Sequence, residues 1–137
     1  MAPEMKNGEI SGIPHGSESV LLIDDEEMVL SVSRELLEGL GYRVLTADSG
    51  KAAIAEFETK ADEIDLIILD FTMPEMSGGE TLKRLKSIHP KVPVLVSSGY
   101  SLGAQEHEIL QHEGTGFIQK PFRLQVLAQK VREMLAS

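Results

Sequence analysis

IDLIILDFTMP, from Ile64 to Pro74, opens on an apolar run and closes on a carboxylate and a turn. Ile64, Leu66, Ile67, Ile68 and Leu69 are rich in β-branched residues, too few to span a membrane, and bounded by turn formers. The pattern predicts a short strand buried on both faces. Pro74 stops any ladder or helix, so Asp70 falls where the strand gives way to a loop. In open α/β sheets that edge is where ligands bind. Taken alone, Asp70 also fits a solvated strand-end acid, and the rest of the chain has to decide.

The chain has 137 residues, which suits one domain able to bury roughly two thirds of its unfolded surface. A formal net charge of −9 with scattered Lys and Arg argues against a direct nucleic-acid surface, which needs clustered basic residues. With no cysteine, disulfides and thiolate metal sites are excluded. No basic-then-apolar leader is present, and no apolar run nears the ~20 residues of a membrane span. The expectation is a cytoplasmic domain without membrane contact.

Residues 1–18 mix Pro3, Pro14, Gly8, Gly12 and Gly16 with polar residues and read as a flexible tail or linker, leaving 19–137 as the domain. Val20 to Ile23 predicts a strand closed by Asp24 and Asp25. Met28, Val29, Val32, Leu36, Leu37 and Leu40 then follow helical spacing up to Gly41. Tyr42 to Thr46 predicts a second strand, and Ser49 caps a helix over Ala52 to Lys60. After the organising strand, Gly78-Gly79 lead into a helix halted at His89-Pro90, and Val92 to Val96 predicts a fourth strand ending at Ser97-Ser98-Gly99. A weakly patterned helix over Leu102 to His112, a strand over Thr115 to Gln119 and a final helix opened by Lys120-Pro121 complete five strands alternating with five helices.

Such alternation calls for a doubly wound parallel sheet, because each right-handed crossover needs a helix. All strand C-termini then share one edge. That edge collects Asp24, Asp25, Asp70, Ser98 and Lys120. Clustered carboxylates stay ionised together only around a cation, and oxygen ligands without Cys or His suit Mg²⁺ at about 2.0 to 2.1 Å. Such a site best serves an incoming phosphoryl group, with Lys120 as a point charge and Ser98 as a hydroxyl donor. Each residue has a plainer role: Asp24 and Asp25 as helix caps, Ser98 as a turn former, Lys120 as a solvated residue.

The motifs Asp24-Asp25, LDFTMPEMSG (Leu69 to Gly78), VSSGYS (Val96 to Ser101) and QKPF (Gln119 to Phe122) resemble those of the receiver domain of two-component response regulators. The resemblance covers Ser19 to Ala136. It implies a flavodoxin-like (βα)5 fold, a five-stranded sheet of order 2-1-3-4-5. It further implies that Asp70 is the phosphoacceptor, that Asp25, Asp70 and the Thr72 carbonyl hold Mg²⁺ with Asp24 helping through water, and that Ser98 and Lys120 bind phosphoryl oxygens. Phe117 matches the switch aromatic, coupled through Ser98 to the surface made by the helix before it, its own strand and the final helix. Lys120-Pro121 matches a bond often cis. The implied partners are a histidine kinase or histidine phosphotransfer domain, with a phosphorylation-dependent homodimer as a further one. The wording VLLIDDEEM and SSGYS resembles the C-terminal receivers of hybrid sensor kinases.

A haloacid-dehalogenase-like phosphatase would need a second carboxylate two residues after its nucleophile, where Thr72 stands. A pseudo-receiver would lack an essential residue, and none is missing. A serine hydrolase would need a nucleophile elbow at Ser98 and a dinucleotide fold a glycine-rich first loop, and both are absent. His15, His89, His107 and His112 share no ligand spacing and read as solvated. The expected role is a signalling phosphoacceptor rather than an enzyme, with limited self-phosphorylation from small donors and autodephosphorylation. Glu26, Met28, Val29 and Val32 on one rim, with Pro121 and Phe122 on the other, form the expected partner dock. Thr72 and Tyr100, each two residues past a site residue, are expected to set the phosphoryl lifetime.

Overall fold

The computed structural model describes residues 13–72, 78–99 and 114–136. Within them run β1 (Ser19–Ile23), α1 (Glu27–Gly39), β2 (Arg43–Ala47), α2 (Gly50–Lys60), β3 (Leu66–Asp70), α3 (Gly78–Ile88), β4 (Val94–Ser98), β5 (Thr115–Gln119) and α4 (Leu124–Ala136). The helix expected over Leu102 to His112, the Met73–Ser77 part of the loop after β3, and Tyr100 lie outside the described residues. All five strands pair in parallel in the order β2-β1-β3-β4-β5, the flavodoxin-like 2-1-3-4-5 arrangement.

Every residue of β3 is buried, as expected of a central strand covered on both faces. Alternate residues divide the core into two halves. Leu21, Ile23, Ile67, Leu69, Val94 and Val96 meet Ala53 and Phe57 of α2 and Leu82 and Leu85 of α3 on one face. Val20, Leu22, Leu66, Ile68, Leu95 and Ile118 meet Leu37 of α1 and Leu127, Ala128 and Val131 of α4 on the other. The period of two in the strands thus assigns each helix to a side.

Element ends follow local chemistry. Ser49 Oγ accepts from the Ala52 amide at 3.1 Å, capping α2. Beyond α1, Gly41 adopts φ 104°, with its amide donating to the Glu38 carbonyl and the Tyr42 amide to the Leu37 carbonyl, a paired pattern that closes the helix. Lys120-Pro121 is cis, and α4 begins at Leu124 rather than at Pro121. Strands β3 and β4 each run further along the chain than the apolar runs suggested, to Asp70 and Ser98. His89 is half-buried with its ring stacked on Phe57 at 6.4 Å, so packing rather than solvent is its environment.

Residues 13–18, which composition placed at the end of a tail, lie against the domain. The Gly16 amide donates to the Leu40 carbonyl at 3.1 Å, and Ile13 packs on the cluster that holds Leu40. Gly16 is enclosed by Arg132, Tyr42 and Glu18, so that no Cβ fits there. Arg132 donates to both Glu18 carboxylate oxygens at 2.8 Å and to the Tyr42 hydroxyl at 3.1 Å. The hydrogen bond from Arg132 pulls the Glu18 carboxyl down from 4.5 to about 2, against a smaller upward push from burial.

A carboxyl held low contributes stability that is complete above its unfolded value and is lost as pH falls toward its folded one. Glu18→Gln should therefore lower the unfolding free energy by about 1 kcal/mol at neutral pH, limited by the solvent that reaches both partners. The gap from wild type should shrink between pH 4.5 and about 2 in urea melts. A gap that does not change with pH would mean that the ion pair contributes nothing.

Candidate functional site

The parallel register carries the strand ends to one edge. Ile23 pairs with Leu69, Asp70 with Ser97 and Ser98 with Gln119. The ladder continues past the strands, with the Asp24 amide on the Ala47 carbonyl at 3.1 Å and the Lys120 amide on the Ser98 carbonyl at 2.8 Å. Asp24, Asp25, Asp70, Ser98 and Lys120 thereby meet, as the alternation of elements required.

Carboxylate oxygens of Asp24, Asp25 and Asp70 lie within 4.8 Å of one another. Asp24 and Asp70 are buried, whereas Asp25 is exposed at the rim. Lys120 Nζ donates to Asp24 Oδ2 at 2.6 Å and stands 3.6 Å from Asp70 Oδ2. Asp24 Oδ1 accepts from the Glu26 amide at 3.0 Å, fixing the turn ahead of α1, whose N-cap is Glu26 rather than either aspartate and carries no side-chain cap. Asp70 Oδ1 accepts from both the amide and the hydroxyl of Thr72, at 3.0 and 2.8 Å.

Burial pushes the Asp24 carboxyl above its usual range, and the charge of Asp70 adds to that push against the pull of Lys120 and of the Glu26 amide. Burial alone would lower Lys120. The hydrogen bond to Asp24 and the charges of Asp70, Asp24 and Glu26 outweigh it and hold the ammonium above its ordinary value. The two shifts differ in origin, burial leading for Asp24 and the anionic neighbours prevailing for Lys120. Three carboxylates nevertheless face one ammonium, so an added cation has charge to neutralise.

Ser98 is buried at the end of β4, and Phe117 pairs in register with Val96, its half-buried ring packed on the α2–α3 side of the sheet. The expected dock residues also gather. Met28, Val29, Val32, Pro121 and Phe122 line a groove of about 460 Å³ with Ser33, Leu36, Gly99 and Lys120. Glu26 is exposed beside it. Met28 is 78% exposed and Val32 52%, so neither belongs to the core, and α1 buries Ser33 and Leu37 instead. Leu36 was not expected in the groove, although Met28, Val32 and Leu36 at spacings of four form an apolar stripe beside the buried one.

Residues 20–132 match the family model of the response regulator receiver domain. The chain belongs to that family. Among curated relatives, the receiver domain is 38% identical to the sensor kinase CckA of Brucella abortus (strain 2308) over 88% of this chain and 13% of that protein. It is 34% identical to the transcriptional regulatory protein ZraR of Klebsiella oxytoca over 85% of this chain and 26% of that one. The chain thus spans only 13% and 26% of the lengths of these two relatives. Among solved structures, chemotaxis protein CheY4 of Vibrio cholerae superposes with a TM-score of 0.79 at 28% identity, over 88% of this chain and 100% of that one. The receiver domain of the hybrid histidine kinase CckA gives 0.73 at 33% identity, over 85% and 98%. This is a receiver domain of the two-component type, and neither the phosphatase nor the pseudo-receiver alternative is favoured. No helix among the described residues is long and apolar enough to cross a membrane.

Removing the ammonium leaves Asp24 and Asp70 facing each other in the edge. Lys120→Met should lower the unfolding free energy by about 2 to 3 kcal/mol without divalent cations, the scale of a lost hydrogen bond between charged groups. Urea denaturation checks this. An unchanged midpoint would show that the receiver does not depend on Lys120 to balance the edge.

Proposed function

We propose that Asp70 is the phosphoacceptor and that it takes a phosphoryl group from a phosphohistidine of a histidine kinase or histidine phosphotransfer domain. The observation that carries this is the edge cluster itself: a buried Asp70 with one oxygen toward Lys120, two further carboxylates close by and a buried serine at the end of the next strand. The phosphorus–nitrogen bond of the donor breaks as a phosphorus–oxygen bond forms at Asp70, and the departing imidazole nitrogen keeps the electron pair. Thr72 fixes the carboxylate, so that Oδ2 is the oxygen on the Lys120 side. Lys120 then leaves Asp24 for the phosphoryl oxygens, and the Ser98 hydroxyl donates to another of them.

The donor set of carboxylate oxygens fits Mg²⁺. Asp25, Asp70 and the Thr72 carbonyl would hold it, with Asp24 helping through water. When bound, the cation neutralises charge on the transferring phosphoryl group. Drawing Ser98 toward the phosphoryl group opens space beside Phe117, which alters the surface around β5 and α4. Shifting such an equilibrium from 1:99 to 99:1 takes about 5.5 kcal/mol, and the half-buried ring suggests a smaller starting bias. Limited self-phosphorylation from small donors and autodephosphorylation belong to the same chemistry.

The partner docks on the groove between Met28, Val32, Leu36 and Phe122, where apolar area gives affinity and rim charges such as Glu26 give partner choice.

Incubation with acetyl phosphate and Mg²⁺ should add one phosphoryl mass, absent in Asp70→Asn and strongly reduced in Asp25→Ala. A full shift in Asp70→Asn would overturn the assignment. Met28→Glu and Phe122→Glu should accept phosphate from acetyl phosphate as before, while transfer from the cognate histidine protein falls at least about tenfold, the effect of ~1.4 kcal/mol. Unchanged transfer in both would put the dock elsewhere.

A further inference from the structure

Among the described residues, Asp70 Oδ1 is the more heavily hydrogen-bonded of its two carboxylate oxygens. The Thr72 amide and hydroxyl both donate to it, at 3.0 and 2.8 Å, and each carboxylate oxygen offers about two lone-pair sites. Asp70 Oδ2 points the other way, 3.6 Å from Lys120 Nζ. A divalent cation on Oδ2 would sit beside the ammonium and in the path of the phosphoryl group. A cation on Oδ1 meets neither, but both lone pairs there are engaged. The amide is fixed by the turn after β3, whereas the hydroxyl belongs to an exposed side chain and can exchange Asp70 for water.

We infer that the Thr72 hydroxyl gates metal loading: it occupies the Asp70 oxygen site that Mg²⁺ needs and gives it up when the cation arrives. This rests on the Mg²⁺-dependent phosphoacceptor reading above and goes beyond it, because there only the carbonyl of Thr72 takes part. Thr72 is a positioning residue in this role. It also explains how the edge is kept in order without the cation: Lys120 ties down Asp24 and Thr72 ties down Asp70, so the carboxylates are pre-aimed but each is held by a partner that has to let go.

The test is a calorimetric Mg²⁺ titration of the full chain as wild type, Thr72→Val, Thr72→Ala and Thr72→Ser. Valine keeps the branched shape and removes the donor, so the site without cation loses a hydrogen bond that the loaded site does not contain. Thr72→Val and Thr72→Ala should bind Mg²⁺ about three- to tenfold more tightly, the range that one such bond allows once water partly replaces it. Thr72→Ser, which retains the hydroxyl, should match wild type. Equal or weaker binding by the Val and Ala variants, with wild type binding normally, would overturn the gate and leave the phosphoacceptor reading standing. A wild-type chain that takes up no Mg²⁺ would instead remove the metal-dependent reading, and the gate with it.

Discussion

Three carboxylates and one ammonium meet at the end of a parallel sheet, and the repulsion among the carboxylates is the constraint from which the site's behaviour follows. Asp24 and Asp70 are buried at strand ends where water cannot screen them, and Lys120 reaches both. The edge is therefore held together by interactions that are individually replaceable. On the proposed function, a bound cation or phosphoryl group takes over some of them and so releases a side chain. Lys120 leaving Asp24 and the Thr72 hydroxyl leaving Asp70 are the two exchanges proposed above.

For the exchanges to matter, the frame around them must stay still. Strand β3 is buried on both faces, and hydrogen bonds beyond the ladder hold Asp24, Phe71 and Lys120 at the ends of β1, β3 and β5, so the carboxylates are kept from drifting apart to relieve repulsion. The opposite end of the sheet is closed by a second charged device, the Glu18–Arg132–Tyr42 cluster around Gly16, which ties the segment before β1 to α4. At the site end, α1 turns Met28 and Val32 to solvent because Ser33 and Leu37 are the residues it buries. One helix thus supplies both a core face and an apolar rim.

The topology was legible in the sequence because alternation of short apolar runs with helical spacing leaves little choice but a parallel sheet, and the parallel sheet brings Asp24, Asp25, Asp70, Ser98 and Lys120 together. Strand limits were less legible. Ile64 is buried without belonging to the ladder, and Ser97 and Ser98 belong to the ladder although they read as a turn, because apolarity reports burial and not backbone pairing. The packing of residues 13–18 was hidden by composition: Gly16 and Pro14 suggest a tail, and the residue that holds the segment, Arg132, is 114 positions from Glu18. The Lys120–Asp24 contact spans 96 positions, so residue types indicated a shared edge but not which carboxylate the ammonium would choose. Nor does a threonine two residues past an aspartate announce that its hydroxyl will turn back onto that carboxylate.

The central claim is that phosphoryl chemistry at this edge happens on one oxygen-bearing side chain, Asp70. An aspartyl phosphate is an acyl phosphate, and borohydride reduces it to homoserine, leaving a permanent mark at the acceptor. The direct measurement is to charge the protein from a phosphohistidine donor, reduce, digest and locate the homoserine by peptide mass spectrometry. Homoserine at position 70 alone is the predicted result. Homoserine at position 24 or 25, with an unaltered residue at 70, would contradict the assignment of the nucleophile.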